Sequence, residues 1–308
     1  MKFHHTESDS IRDRFREDGF AIVQGLVKDS QQLEKLRGAA DAVTEQTRNR
    51  NWPFKRNVGK QFPPWDEHSP DVWGVQHIMH PGLNQPAFAE LYFSPSMLGL
   101  TAHLSEQSSE DDAMVGLFNL LVEPQEHHFE LEWHRDSIKS NITEAEEQEL
   151  LKAKTKFTGV QWNLALYHDQ CLFVVPGSHG RMRTSLERKI TINSSGQNSE
   201  IMPNQLCVDL APGDAVFYDP EILHRGTYNK RLKRRTLHGL HHDYRADIFQ
   251  SRGILQHFEC CGIFYADPTF QASLPIENLT SKKMVERMID WAARAKLAGV
   301  EGFAQENI

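Results

Sequence analysis

The chain has 308 residues, 39% hydrophobic and 25% charged, which is the composition of an ordinary soluble globular protein that can bury a sizeable core. Its formal net charge of −8 and pI near 6.1 give no electrostatic reason to expect a nucleic acid or an anionic membrane as a partner. We therefore expect neither class of partner.

Cysteine spacing and hydrophobic patterning favour a reduced, cytoplasmic setting. The four cysteines show no CxxC spacing, and they are Cys171, Cys207, Cys260 and Cys261. The N-terminal sequence MKFHHTESDS has no apolar region of the kind found in signal peptides, and no apolar run of about twenty residues occurs. The sequence predicts a cytoplasmic protein without a membrane span.

Residues 1–112 are predicted to form a mainly helical N-terminal part. Residues 8–25 have the pattern of a short helix followed by a strand, Asp29 or Ser30 can cap a second helix, and residues 88–104 follow helical periodicity. Residues 51–70 are rich in proline, tryptophan and charge and are predicted to be irregular. Several side chains there could contact a substrate, or could only pin a surface loop: Trp52, Phe54, Lys55, Arg56 and Trp65.

Residues 113–245 have the pattern of a β-sheet core. Short strand-like runs with turns between them follow the apolar run 113–122, and a charged, helix-prone segment at 143–156 could be a solvated helix or a lid. Residues 246–308 are predicted to be a C-terminal strand and helix extension, with an amphipathic helix at 281–297. The fold class expected is α+β, an all-β barrel or sandwich core with flanking helices in a single catalytic domain over 1–308.

The motif Trp133-His134-Arg135-Asp136 is the first candidate for chemistry. Side chains on a strand alternate, so His134 and Asp136 are expected to point to one side while Arg135 points away. His224 follows a short apolar strand and could supply a third ligand. Two histidines and one carboxylate leave three coordination positions of an octahedral iron open to a co-substrate and oxygen.

An arginine eleven residues beyond His224 could bind an oxo acid at that metal. The guanidinium of Arg235 can pair bidentately with a distal carboxylate. Arg234 is the alternative, because alternation places it on the opposite strand face and a one-residue register error would exchange the two.

The chain resembles the phytanoyl-CoA dioxygenase family, from about Ile11 to about Tyr244. The resemblance is carried by the run LFVVPGSH at 172–179, the opening FREDGF at 15–20, the turn APGD at 211–214 and the order of His134, Asp136, His224 and Arg235. It implies a double-stranded β-helix (jelly roll, cupin-like) barrel that uses Fe(II), 2-oxoglutarate and O₂.

The resemblance also implies roles for individual residues. His134, Asp136 and His224 would bind the iron and be catalytic, Arg235 would hold the C5 carboxylate of 2-oxoglutarate, and Trp162, with its neighbour Gln161, would line the co-substrate site. Family members that halogenate have a small residue in place of the carboxylate, so Asp136 implies hydroxylation or a related oxidation.

The expected substrate is a small molecule, with a preference for secondary metabolism, and the expected assembly is a monomer or homodimer. Two other classes stay open: a metal-dependent isomerase or hydrolase using the same ligands, and a catalytically silent binding protein. Arg235 argues against the first, because such chemistry needs no oxo-acid anchor, and the intact ligand set argues against the second.

Overall fold

The computed structural model describes residues 2–4, 8–59, 69, 71–105, 112–153, 159–192, 201–255, 264–274 and 279–300. The strands are β1 (Lys2–His4), β2 (Phe20–Gln24), β3 (Lys55–Asn57), β4 (Val72–Val75), β5 (Ala113–Val122), β6 (Phe129–Glu130), β7 (Val160–Ala165), β8 (Leu172–Val174), β9 (Leu206–Cys207), β10 (Ala215–Tyr218), β11 (His224–Tyr228) and β12 (Arg235–Asp243). The α-helices are α1 (Ser8–Asp18), α2 (Ser30–Arg48), α3 (Pro86–Tyr92), α4 (Pro95–Leu104), α5 (Glu144–Ala153), α6 (Ser185–Ile192), α7 (Ser251–Ile254), α8 (Pro268–Ser273) and α9 (Leu279–Leu297).

The described strands form two sheets. The main sheet has eight strands in the order β1-β2-β10-β7-β12-β5-β4-β3, and the small sheet has four in the order β6-β11-β8-β9. All pairings are antiparallel except that of β1 with β2. A large sheet with flanking helices confirms the predicted α+β class.

The two faces of the main sheet are both buried, but against different partners. On the outer face, apolar side chains such as Leu120 and Leu237 join the largest core cluster together with the helices, including Met288 and Trp291 of α9. On the inner face, side chains such as Val216 pack on the small sheet, for example on Val174. Because side chains alternate along a strand, consecutive residues of the central strands serve these two different layers.

Most predicted elements appear close to their expected bounds. The strand 113–122 is β5, the C-terminal helix is α9, and the side chain of Asp29 accepts a hydrogen bond from the Gln31 backbone at the start of α2. The helix predicted at 143–156 is α5, Glu144–Ala153, and its continuation lies outside the described residues. None of the described helices is long and apolar enough to cross a membrane.

The single helical stretch predicted at 88–104 is wrong, because the structure divides it into α3 and α4. Pro95 has no N–H to continue a helix, and the preceding residue is forced out of the helical region. Ser94 has extended φ and ψ angles of −65° and 147°, and its hydroxyl accepts a hydrogen bond from the Met97 N–H. Ser94 therefore caps a new helix at the point where the first one ends.

Candidate metal centre

The structure brings His134, Asp136 and His224 together, as the sequence predicts. The Nε2 atoms of His134 and His224 lie 3.6 and 3.8 Å from Oδ1 of Asp136, and the two imidazole centroids are 4.3 Å apart. One ligand atom from each of the three residues lies within 4.8 Å of the other two. This spacing is compatible with a single ion bound by all three residues.

The backbone around His134 is not the continuous strand that the motif suggests. Strand β6 ends at Glu130, and His134 forms an isolated antiparallel bridge with His224, with N–H to O distances of 3.1 Å in both directions. The Asp136 N–H donates to the Pro220 carbonyl at 3.1 Å. The two segments are therefore held in register at the ligands themselves, although little regular strand precedes them.

Hydrogen bonds orient both imidazoles. Nδ1 of His134 lies 2.7 Å from the Glu132 carbonyl, and Nδ1 of His224 lies 2.9 Å from the Ile222 carbonyl. Because a carbonyl oxygen can only accept, each Nδ1 carries a proton and donates it, which leaves both Nε2 atoms facing Asp136. Burial, and next the neighbouring His224, lower the pKa of His134 to about 4, so this imidazole is neutral at neutral pH.

Gln161 contacts a metal-ligand candidate directly. Its side-chain amide donates to Oδ2 of Asp136, and the Tyr218 hydroxyl donates to Gln161 Oε1 at 3.4 Å. Oδ1 of Asp136 is the oxygen nearer the imidazoles. Gln161 therefore fixes the orientation of the carboxylate, which is a different role from the co-substrate contact predicted for it.

Arg234 lies on the inner face of the main sheet and is fully buried. Its Nε lies 2.9 Å from Oδ2 of Asp169, and its guanidinium carbon lies 4.5 Å from the centre of the Tyr228 ring. Burial is the largest single influence and opposes the charge, but Asp169, Cys171 and Tyr228 together raise the pKa of Arg234 above its ordinary value. Nη1 of Arg234 makes no hydrogen bond within the described part of the chain.

Arg235 faces away from the metal centre, which contradicts its predicted role. Its Nε donates to Oδ1 of Asp41 on α2 at 2.8 Å, and its Nη1 donates to Oε2 of Glu123 at 2.6 Å. Alternation along β12 places this side chain on the helical side of the sheet. Its guanidinium is already committed to two carboxylates there.

Trp162 also lies on the outer face, so its predicted position beside the co-substrate is wrong. Its indole N–H donates to Nδ1 of His241 at 3.0 Å, and its ring packs 5.2 Å from that of Phe118. A Cβ added to Gly239 would lie 2.2 Å from the Trp162 ring, so the glycine makes room for the indole. Trp162 is part of the core between the sheet and the helices.

The inner face carries a polar pair that sequence reasoning missed. Nδ1 of His238 lies 2.8 Å from Oδ1 of Asn163 and 3.4 Å from the Tyr218 hydroxyl. Burial, followed by the charge of Arg56, lowers the pKa of His238 well below its usual value. The signal that could have found His238 is its spacing of four from Arg234, which places both on the same strand face. We call Gln161, Asn163, Tyr218, Arg234 and His238 the inner polar cluster.

Ser178, within the run LFVVPGSH, connects both metal-binding segments. Its hydroxyl accepts the N–H of Leu223, next to His224, at 2.8 Å, and its carbonyl accepts from Nη2 of Arg135 at 2.8 Å. Arg135 also pairs with the buried Glu147 of α5 at 2.9 Å. Arg135 thus points away from the metal centre, as predicted, and joins α5 to the segment that carries His134 and Asp136.

The segment predicted to be irregular at 51–70 divides between the two faces. Trp52 and Phe54 pack on each other, and Phe54 also packs on His77. Arg56 is buried with its guanidinium over Trp73, which lies in the inner-face cluster with Leu121 and Tyr228. Trp65 lies outside the described residues.

Comparisons with known proteins agree with this geometry. The family model for phytanoyl-CoA dioxygenase (PhyH) matches residues 15–237. No curated protein matches the sequence. AviO1 from Streptomyces viridochromogenes Tue57 is a similar solved structure, with a TM-score of 0.54 at 18% identity over 78% of this chain and 97% of that one.

Two further solved structures have the same fold at low identity. The non-heme alpha ketoglutarate dependent epimerase SnoN from nogalamycin biosynthesis has a TM-score of 0.53 at 15% identity, over 78% of this chain and 84% of that one. EctD from S. alaskensis, crystallised with 2-oxoglutarate and 5-hydroxyectoine, has a TM-score of 0.53 at 14% identity, over 76% and 75%. The family match spans strands β2 to β11, the start of β12 and all three clustered ligands, and we conclude that the chain belongs to the phytanoyl-CoA dioxygenase family.

Proposed function

We propose that the protein is an Fe(II)- and 2-oxoglutarate-dependent dioxygenase and that His134, Asp136 and His224 bind the iron. The observation that carries this proposal is the meeting of two imidazole Nε2 atoms and one carboxylate oxygen at a single point. This donor set suits non-haem Fe(II) and leaves coordination positions for a co-substrate and O₂. When bound, the iron would supply the oxidising chemistry, with 2-oxoglutarate converted to succinate and CO₂.

The residues of the chain fix the orientation of the ligands. The carbonyls of Glu132 and Ile222 accept hydrogen bonds from the two Nδ1 atoms, so the Nε2 atoms are the ones that face Asp136. Gln161 holds the second oxygen of Asp136. Membership in this family and the retained carboxylate of Asp136 support oxidation of a C–H bond.

We propose Arg234, rather than Arg235, as the anchor for the C5 carboxylate of 2-oxoglutarate. Arg234 lies on the inner face, and its Nη1 has no partner among the described residues. A buried guanidinium N–H aimed at a carboxylate forms a strong, directional hydrogen bond. Asp169 and Tyr228 hold the rest of the side chain, so the anchor is already ordered before the co-substrate binds.

We propose hydroxylation of a small molecule, of the kind made in secondary metabolism, as the outcome, and a double-stranded β-helix formed by the two sheets as the scaffold. SnoN is named an epimerase, and another neighbour of the same fold, SnoK, a carbocyclase. A product heavier than the substrate by one oxygen atom would support hydroxylation. An unchanged mass would indicate epimerisation, and a loss of two hydrogens would indicate ring formation or desaturation.

The test is succinate formation from 2-oxoglutarate under air with Fe(II), together with the affinity for Mn(II), a spectroscopic substitute for Fe(II). We expect His134→Ala and Asp136→Ala to weaken Mn(II) binding by more than about 100-fold, because each removes a ligand and not only a supporting contact. Succinate formation should fall to background in both. The matched control is His168→Ala, since this exposed histidine pairs with Asp209 and contacts none of the three ligands.

The two rival classes give different outcomes in the same experiment. An isomerase or hydrolase would keep its metal affinity but would neither bind nor consume 2-oxoglutarate. A silent binding protein would bind a ligand without forming succinate. Unchanged Mn(II) affinity in both His134→Ala and Asp136→Ala would show that the metal assignment is wrong.

A further inference from the structure

Glu147 in the first turn of α5 is a fully buried carboxylate on which three arginines converge. Its side chain has 0% exposure. Arg135 donates from Nη1 to Oε1 at 2.9 Å, Arg183 donates from Nε to Oε1 at 3.1 Å, and Arg188 donates from Nη2 to Oε2. A carboxylate can be buried when such charged donors replace the water that it loses. We call Glu147 and these three arginines the arginine cluster.

One arginine of the cluster belongs to the segment that carries two of the proposed metal ligands. Arg135 is the middle residue of 134–136, and only 1% of its side chain is exposed. Besides its bond to Glu147, its guanidinium donates from Nη2 to the carbonyls of Ser178 at 2.8 Å and Arg181 at 2.7 Å. Because the guanidinium is planar and is bonded at two of its nitrogens, it fixes the direction of the side chain and restricts the backbone between the two ligands.

The other two arginines hold the chain that follows these ligands. Nη1 of Arg183 donates to the Ser140 carbonyl at 2.9 Å, and Nη1 of Arg188 donates to the Ile142 carbonyl at 2.6 Å. Residues 135–143 contain no helix or strand. The position of this segment therefore depends on side-chain contacts, and the arginine cluster supplies several of them.

The cluster also reaches the third proposed ligand. The Ser178 carbonyl accepts from Arg135, and the Ser178 hydroxyl accepts the N–H of Leu223 at 2.8 Å. Leu223 precedes His224, whose backbone pairs with that of His134 at 3.1 Å in both directions. A displacement of Arg135 would therefore be passed to both sides of the metal centre.

A second buried carboxylate nearby has no such connection. Glu187 on α6 has a side chain that is 1% exposed, and it accepts two hydrogen bonds from Arg181 at 2.6 and 2.7 Å. Within the described structure, none of its side-chain hydrogen bonds reaches a segment that carries a proposed ligand. Glu147 and Glu187 are matched in burial and in the type of partner, and they differ in whether a partner side chain belongs to the metal-binding segment.

We propose that Glu147 is a positioning residue for the metal centre and that it acts through Arg135. This inference rests on the proposed function, because it assigns Glu147 to the ligands named there. The carboxylate holds the guanidinium in place, and the guanidinium holds the backbone between two ligands. The helix α5 is then a fixed support and not a lid, because buried ion pairs tie its first turn to the ligand segment and such pairs are costly to break.

The experiment measures Mn(II) affinity of the full chain by calorimetry without oxygen, together with the electron paramagnetic resonance spectrum of the bound Mn(II). The variant Glu147→Gln removes the charge at nearly constant shape, and Glu187→Gln is its matched control. Arg135→Lys keeps the charge but loses the planar set of donors. The double variant of Arg135→Lys with Glu147→Gln tests whether the two residues act as one unit. Urea unfolding shows that each variant is folded.

For Glu147→Gln we expect a loss of about tenfold in Mn(II) affinity and a changed resonance spectrum, because residues that orient metal ligands from outside have effects of this size. Arg135→Lys should show a similar loss. The double variant should lose no more than the larger single loss, because both substitutions break the same link. Glu187→Gln should unfold at a lower urea concentration than the wild type, but should keep its spectrum and its Mn(II) affinity within about twofold.

Wild-type Mn(II) affinity and spectrum in folded Glu147→Gln would overturn the inference and leave the proposed function intact. Equal losses in Glu147→Gln and Glu187→Gln would also overturn it, because the effect would then follow stability alone. Unchanged Mn(II) affinity with faster release of 2-oxoglutarate would make α5 a lid, against the inference.

If Glu147→Gln does not fold, Arg135→Lys decides, because lysine can still pair with the buried carboxylate. A loss of Mn(II) affinity there would support the inference, and wild-type affinity would overturn it. Failure of the wild-type protein to bind Mn(II) is a different result, since it would overturn the proposed metal site itself.

Discussion

Strand β12 and the residue before it present the same residue types to two different environments. On the outer face, Arg235 pairs with Asp41 and Glu123, and His241 lies between Trp162 and Tyr92. On the inner face, Arg234 keeps a guanidinium nitrogen without a partner in the described structure, and His238 belongs to the inner polar cluster. The outer pair is part of the core, whereas the inner pair lies on the face that carries the candidate metal centre, where Nη1 of Arg234 has no partner among the described residues.

The difference shows that the strand face, not the residue type, separates structural from functional groups here. Both arginines are more than nine-tenths buried, and both histidines have a lowered pKa because of burial. What distinguishes the two arginines is that Arg235 pairs with two carboxylates, whereas Nη1 of Arg234 has no partner in the described part of the chain. A buried donor without a protein partner is costly, and a bound ligand can remove that cost.

The largest effect should come from exchanging lysine for each arginine in turn. Lysine keeps the charge but loses the planar set of donors, so Arg234→Lys should weaken 2-oxoglutarate binding by about 100-fold, equivalent to nearly 3 kcal/mol. Arg235→Lys should leave that affinity within about twofold and instead lower the free energy of unfolding by about 1 kcal/mol, because Asp41 is partly exposed. Calorimetry of 2-oxoglutarate binding and urea unfolding provide the two measurements.

The opposite pattern, with 2-oxoglutarate affinity lost in Arg235→Lys and kept in Arg234→Lys, would show that the outer face binds the co-substrate. Equal losses in both variants would show that the effect passes through the strand as a whole. 2-Oxobutyrate is the control ligand, because it has no distal carboxylate and should bind both variants equally.

The clustering of His134, Asp136 and His224 could be predicted from the sequence because their pattern is local. A histidine two residues before an aspartate predicts that both side chains point to the same side of the chain. The second histidine follows a short apolar strand, so it too can be recognised from a few neighbouring residues. The choice between Arg234 and Arg235 depends on register, which the sequence fixes only through the pairing of β12 with β5 and β7. Both faces of that strand are buried, so hydrophobic alternation gives little help in choosing between them.

Other features depend on contacts distant in sequence. Trp162 reaches the outer face because Gly239 on the neighbouring strand leaves space for its ring. Arg56 reaches the inner face from a segment whose prolines and charges predict only irregular structure. By contrast, the break between α3 and α4 depends on local sequence alone, because Ser94-Pro95 is a capping residue followed by proline and this pattern predicts the start of a new helix.

A second prediction uses pH to test the buried histidine of the outer face. His241 has a pKa lowered to about 3 by burial, against about 6.5 for an unfolded histidine. Between these values the unfolded chain binds a proton that the folded chain excludes, so stability decreases as the pH falls below about 6.5 and is unaffected above it. At pH 5 this histidine should lower the free energy of unfolding by about 2 kcal/mol relative to pH 7.

His241→Gln provides the comparison, because glutamine can hydrogen-bond but does not titrate in this range. The variant should be less stable than the wild type at pH 7. Between pH 7 and pH 5, its free energy of unfolding should fall by about 2 kcal/mol less than that of the wild type, as measured by urea unfolding at both pH values. Identical losses in the two proteins would mean that His241 is protonated in the folded state, in conflict with its hydrogen bonds to Trp162 and Tyr92.

The smallest effects should come from Gln161 and Trp162, which are adjacent on β7 and point to opposite faces. Gln161→Leu removes the hydrogen bond to Asp136 without a large change in volume, so Mn(II) affinity should fall about tenfold while stability changes little. Trp162→Phe removes the hydrogen bond to His241 and part of the ring, so stability should fall by about 1 to 2 kcal/mol while Mn(II) affinity stays within about twofold. Since each variant is the other's control, a fall in Mn(II) affinity in Trp162→Phe with none in Gln161→Leu would contradict the assignment of the two faces.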